Sequence, residues 1–174
     1  MKKSIEPVPF IAAMPVVIVA TKDEGDINFA THGMFGQLNI SNPPLVYVSV
    51  LKDHKTAKMI KVTEKYSVNI PSTELLDKIK LCGSASGNSE NKSKVFDVFY
   101  GQNDIPMIVD CPVNLNCKLF KTIETADMYI FIAEVIETYA QESCLNEDKI
   151  IAKAVDPIIC TIQGEFFAIG KEIK

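Results

Sequence analysis

Side chains able to hold an anion gather in two stretches of this chain. The first is Asn28 together with His54, Lys55 and Thr56; the second is Cys82-Gly83-Ser84-Ala85-Ser86-Gly87, followed by Lys92. Asp53-His54-Lys55-Thr56 precedes the run AKMIKV, whose apolar spacing is helical. A helix N-terminus leaves N–H groups unpaired and carries the positive end of the helix dipole. A cation and a hydroxyl placed there make an anion seat. Ser84, Ser86 and Lys92 add hydroxyl and ammonium donors, although the same composition also describes a plain flexible loop. Thr56, Ser86 and Lys92, with His54 or Lys55, suit a phosphate monoester.

A bend, His32-Gly33-Met34-Phe35-Gly36, lies between these stretches. Its glycines let backbone approach a ligand closely. Backbone groups from Ala30 and Thr31 through His32, Gly33 and Met34, and those of Ser49, Val50 and Leu51, suit the polar edge of a flat heteroaromatic ring. Met34, Phe35, Phe166 and Phe167 are the candidates to cover its faces. Each has a plainer role available: Met34 and Phe35 as core, Lys92 as a solvated charge, Asn28 as a turn cap. The chain holds no GxSxG elbow, P-loop, HExxH or GxGxxG. A cysteine–histidine nucleophile pair stays open, since only folding would bring one together. The side chains therefore offer little catalytic chemistry of their own, as expected where a cofactor performs the hard step.

The elements that must position these groups read mostly as strands. Met14–Ala20 (MPVVIVA) is a strand, and Ile27–Thr31 returns antiparallel after the turn at 21–26. Ser41-Asn42-Pro43-Pro44 bars helix, and Leu45–Leu51 is a buried strand. A helix over Thr56–Glu64 turns Ala57, Ile60 and either Met59 or Val62 inward. Tyr66–Ile70 is a strand, and Ser72 or Thr73 caps a helix reaching Leu81. Val95–Tyr100 is a short amphipathic piece. Val113–Ile123 and Met128–Tyr139 are long strands joined by the turn 124–127, Cys144–Lys153 is a charged connection, and Ile158–Ile162 with Phe166–Ile169 are final strands. Seven or eight strands with mostly adjacent pairings predict a mainly β protein, a closed or nearly closed antiparallel barrel with a few short helices.

The totals narrow the class. At 174 residues the chain reads as one domain, and 47% hydrophobic content is ample for a core. A net charge of −4 and pI of about 5.2 argue against a nucleic-acid partner. No apolar run reaches the roughly 20 residues a membrane helix needs. Lys2-Lys3 before an apolar stretch resembles a signal peptide, but Glu6, Pro7, Pro9 and Pro15 break it. Five scattered cysteines without a CxxC read as buried free thiols in a reducing cytoplasm.

Taken in order, several features resemble the flavin reductase-like family, in particular its flavoredoxin-type branch. They are PVVIVAT, Asn28-Phe29-Ala30-Thr31, Ser41 to Val50 (SNPPLVYVSV), His54-Lys55-Thr56, Cys82 to Gly87 with Lys92, and Phe166 to Gly170. The resemblance covers nearly the whole chain, 1–174, as a single domain. It implies an FMN-binding split barrel with noncovalent flavin, commonly a homodimer with the flavin near the interface. It further implies NADH or NADPH as reductant, or alternatively a redox partner protein in an electron carrier. By motif, Asn28 and Thr56 would touch the ribityl phosphate region, with Ser86 and Lys92 reaching the phosphate. Met34 stands where relatives often have tryptophan, and Phe166 or Phe167 takes the C-terminal aromatic position. Relatives often carry Gly-Asp-His before the late strand; here the sequence is Ala126-Asp127-Met128, which weakens the expectation of fast nicotinamide turnover.

Overall fold

Val16 to Ala20 is apolar at every position, so a strand there must be covered on both faces. The computed structural model, which describes residues 1–173, provides both covers. In chain order the elements begin with β1 (Met14–Pro15), β2 (Val17–Asp23), β3 (Asp26–His32), β4 (Phe35–Asn39) and β5 (Leu45–Leu51). Helix α1 (Lys55–Thr63) and β6 (Lys65–Ile70) follow, then a 3-10 turn at Thr73–Leu75 that runs into α2 (Leu76–Ser84). Next are β7 (Val98–Tyr100), β8 (Pro106–Ile108), β9 (Val113–Glu124) and β10 (Met128–Ala140). A small hairpin of β11 (Leu145–Asn146) and β12 (Lys149–Ile150), a turn of helix α3 (Ala152–Val155), β13 (Ile158–Cys160) and β14 (Phe166–Ala168) complete the fold. No helix among the described residues is long and apolar enough to cross a membrane.

Seven strands form one antiparallel sheet in the order β3-β2-β6-β9-β10-β5-β4. Its two edges, β3 and β4, are consecutive in the chain and joined only by Gly33-Met34. The Ser49 N–H donates to the Met34 carbonyl at 2.9 Å, holding that joint against β5. The sheet thus curls into a split barrel. Val17 and Val19 of β2 point inside, with Val46, Val48, Val50, Tyr66, Val68, Phe131 and the α1 residues Ala57 and Ile60. Val16, Ile18 and Ala20 point outside, beneath Leu75, Ile79, Cys82, Phe96 and Ile158. Period-two alternation on β2 therefore feeds two cores at once.

The structure refines several expectations. Met59 is buried and Val62 is 70% exposed, which settles the inward face of α1. The run Met14–Ala20 is divided: Met14 and Pro15 pair with Cys160 and Ile159 in a separate three-stranded sheet, β1-β13-β14. Phe35 and Gly36, read as the end of a bend, belong to a strand, β4 (Phe35–Asn39). Gly36 there lies under the Tyr47 ring, where an added Cβ would fall 2.6 Å from a ring carbon. Helix α2 runs three residues past Leu81. A buried polar ladder joins β6 and β9 to the segment crossing them. Asn69 Nδ2 donates to the Ile18 carbonyl, while its Oδ1 accepts from the Ile108 N–H (2.9 Å) and from Asn114 Nδ2 (2.8 Å). Ser67 donates to the Pro106 carbonyl at 2.6 Å. These side chains satisfy β8, which has no place in the main sheet.

Candidate functional site

Helix α1 opens beside edge strand β3. Its N-cap, His54, is extended (φ −66°, ψ 141°) and makes no side-chain cap bond, so its side chain leaves the first-turn N–H groups uncapped. Thr56 is buried in that turn, and Asn28 Nδ2 of β3 donates to its hydroxyl at 3.0 Å. Lys55 pairs with Asp26 at 2.6 Å. Helix α2 approaches β3 from the other side, held by the Thr31 hydroxyl donating to the Ile79 carbonyl at 2.7 Å. The loop after α2 is tied back to the α1 turn by Asn88 Nδ2, which donates to the Asp53 carbonyl at 3.0 Å. Gly87 passes so close to Asn28 that any Cβ would collide with the Asn28 amide oxygen.

These contacts enclose a cleft of about 140 Å³ between the start of α1 and the end of α2. Of the residues expected in a cofactor site, Asn28, Ala30, Thr31, His54, Lys55, Thr56, Ser86 and Lys92 line it. Thr31, Gly83 and Ser84 also border a shallower groove that extends to Leu76, Ile79 and Phe166. Cleft and groove together form one continuous surface along β3 and α2.

Lys92 is placed differently from a solvated loop charge. It is only 5% exposed, and its ammonium donates to the carbonyls of Cys82 (3.2 Å) and Ala85 (3.0 Å) at the end of α2. That satisfies the negative end of the helix. An ammonium has three donors, so one remains for the cleft, and no carboxylate pairs with it among the described residues. Burial holds its pKa below the ordinary lysine value, against the opposing pull of Cys82 and Glu90. A buried cation without a counter-ion is costly to keep; an anion in the cleft would relieve that cost.

His32 ends β3 on the same face as Asn28 and Ala30, by the register that sets these three opposite Val17, Thr21 and Val19. It is 8% exposed, and its Nε2 is buried without a partner. Burial, then His54 and Lys92, lower its pKa to about 4, so the ring is neutral at pH 7.

The ring-edge and ring-face candidates do not all converge on the cleft. Met34 is half exposed at the corner between β3 and β4, and Gly33 sits beside it near Met14 and Cys160. Val50 is committed to the barrel interior, Leu51 is exposed, and the Ser49 N–H is already spent on Met34. Phe166 borders the groove, whereas its neighbour Phe167 alternates away and is exposed. Cys82, Gly83, Ala85 and Gly87 also line the cleft, beyond the selected site residues; the run of small residues around Ser86 was their signal. The cysteine–histidine option gains no support here. Cys82 and His54 share the cleft, but burial raises the Cys82 pKa, the reverse of what a thiolate nucleophile needs.

Comparison with known proteins places this geometry. Residues 11–154 match the profile described as Flavin reductase like domain. The solved structure of a flavoredoxin from Methanosarcina acetivorans is 33% identical and superposes with a TM-score of 0.95, covering 100% of this chain and 94% of that one. Flavoredoxin of Desulfovibrio vulgaris (Miyazaki F) is 28% identical with a TM-score of 0.90, covering 100% and 96%. An uncharacterized protein of Archaeoglobus fulgidus is 30% identical over 98 residues, 55% of each chain, so the match spans about half the length of that relative.

Proposed function

The chain belongs to the flavin reductase-like family, and from that premise we propose that its cleft holds the phosphate end of noncovalent FMN in an FMN-dependent oxidoreductase. The observation that carries this reading is Lys92: a buried ammonium with a donor to spare, no carboxylate partner, and an anion-sized cleft in front of it. Thr56 and the first N–H groups of α1 donate from one side, Ser86 and Lys92 from the other. Gly87 keeps the wall thin where a side chain would close it. The ribityl chain would pass Asn28 and Thr31, and the groove toward Phe166 would take one face of the ring.

Bound flavin supplies hydride or electron transfer; the protein's part is to hold and orient it. In the enzymatic form NADH or NADPH is the reductant. A second reading, an electron carrier reduced by a protein partner, is favoured by Met128. It stands where relatives often place a histidine, and it pairs with Leu51 at the strand end. Both solved relatives named above are flavoredoxins. A second copy of the chain is the proposed cover for the apolar residues exposed on β4, Met34, Leu38 and Ile40 with its flanks, and for Phe120 and Ile123 on β9. The five free, buried thiols support a reducing, cytoplasmic setting.

An absorbance spectrum before and after anaerobic NADH tests these readings. Flavin bands that bleach with NADH support the reductase. Bands that persist with NADH yet bleach with dithionite support the carrier. A colourless protein that takes up no FMN on incubation would refute both.

A further inference from the structure

The chain has only two histidines: one lines this cleft, and the other ends the strand that forms its wall. His54 lines the cleft from the N-cap of α1 and is exposed; His32 is buried two residues beyond Ala30, on the strand face that carries Asn28 and Ala30. A buried imidazole nitrogen without a partner is an unmet donor or acceptor, and such groups are rare in folded interiors. We propose that His32 is a proton-linked positioning residue: neutral while the cleft is empty, it takes a proton from solvent when a phosphate monoester enters, and so adds a second buried cation alongside Lys92. This rests on the reading of the cleft as a phosphate seat.

The surroundings give the sign. The charged groups acting on His32 are His54 from α1 and Lys92 from the loop after α2, both cationic when protonated, and both disfavour its protonation. Lys55, on the same helix turn as His54, is paired with Asp26 at the far end of β3. Across β2 the partner is Val17, which carries no charge. The neighbouring thiols, Cys82 on α2 and Cys160 on β13, are kept neutral by burial. No free carboxylate is among these groups. A phosphate dianion held by Lys92 would reverse the field at His32, and the ring would then hold its proton at higher pH. Binding and proton uptake are linked in proportion to that rise.

The test uses the full chain with FMN and with riboflavin, which lacks the phosphate. Titration calorimetry at pH 6 in buffers of different ionisation enthalpy counts protons. Histidine C2–H resonances, only two in number, report each ring directly. With FMN, His32 should turn protonated at pH 6 and protons should be taken up; riboflavin should cause neither. In His32→Gln the uptake should vanish. The ratio of variant to wild-type FMN Kd should then grow about ninefold or more from pH 7 to pH 5. The ratio also cancels protonation of the phosphate itself, which acts in the opposite direction. If FMN binds while His32 stays neutral, or if the uptake resides on His54, the proposal is overturned although the phosphate seat stands. If FMN does not bind at any pH, the seat is overturned and the proposal with it. Should the variant fail to fold, the wild-type resonances alone decide.

Discussion

Replacing Lys92 by methionine removes one cation and keeps most of the side-chain volume. In the empty protein two effects oppose each other. The carbonyls of Cys82 and Ala85 lose their donor, while the penalty for burying an unpaired ammonium disappears. Folding stability should therefore change much less than ligand affinity. A phosphate in the cleft would lose one charge-assisted hydrogen bond, about 1.5–3 kcal/mol, or roughly a 10- to 150-fold rise in Kd. The loss should be confined to ligands that carry the phosphate. Quenching of flavin fluorescence during titration gives Kd for FMN and for riboflavin under one set of conditions. Denaturant unfolding of the same samples reports stability. The expected result is a large loss for FMN, little change for riboflavin and a folded protein. An unchanged FMN affinity, or an equal loss for both flavins, would refute the placement of the phosphate beside Lys92.

Two more perturbations address the scaffold and its acid response. Asn69→Ala strips the Ile108 N–H of its acceptor, while Asn114 Nδ2 loses one of two and keeps the Ile108 carbonyl; an unsatisfied buried N–H at about 1–3 kcal/mol should appear as a lower midpoint in urea unfolding, and an unchanged midpoint would refute the role given to the ladder. His32 titrates at about 4 when folded against an ordinary 6.5, so the unfolded chain binds the proton first. Its contribution is fully present above pH 6.5 and is lost as pH falls toward 4, about 3 kcal/mol in all. Unfolding curves of the ligand-free protein over that window should be steeper in pH for wild type than for His32→Gln, and parallel curves would contradict the burial of a neutral ring.

Local pattern carried much of the fold and part of the site. Leu45–Leu51 is a strand with the bounds its apolar run suggests, because β-branched and aromatic residues filling both faces leave few alternatives. The gathering of Thr56, Ser86 and Lys92 in one cleft was legible for a similar reason: a hydroxyl at a helix start and a small-residue loop with a lysine are local chemical signals. Sheet membership is not local. Nothing in MPVVIVA marks where one sheet ends and another begins; that break depends on Cys160 and Ile159, far along the chain. Strand β4 was hidden because Gly36 and Gln37 have low strand preference, and the ring of Tyr47 supplies what Gly36 lacks. Lys92 had the right neighbourhood but an added duty, since its hold on the α2 carbonyls follows from how the loop folds back. The asparagines of β6 and β9 look like solvent-facing residues in sequence; they are buried because β8 lies across them.

The two-residue joint between β3 and β4 has a bearing on which length changes this chain tolerates. Loops ordinarily absorb insertions and deletions at small cost. Here Gly33-Met34 connects the first strand of the sheet to the last, and the pairing beyond it is fixed, Phe35 opposite Val48 and Gly36 opposite Tyr47. One residue more or less would turn every β4 side chain to the other face. Phe35 would leave the barrel core, and a side chain would be driven against the Tyr47 ring. This joint between the two edges of the sheet is therefore a place where an indel should be poorly survivable. Variation around the cleft is then expected to come by substitution at positions such as 32 and 34, with their number held constant.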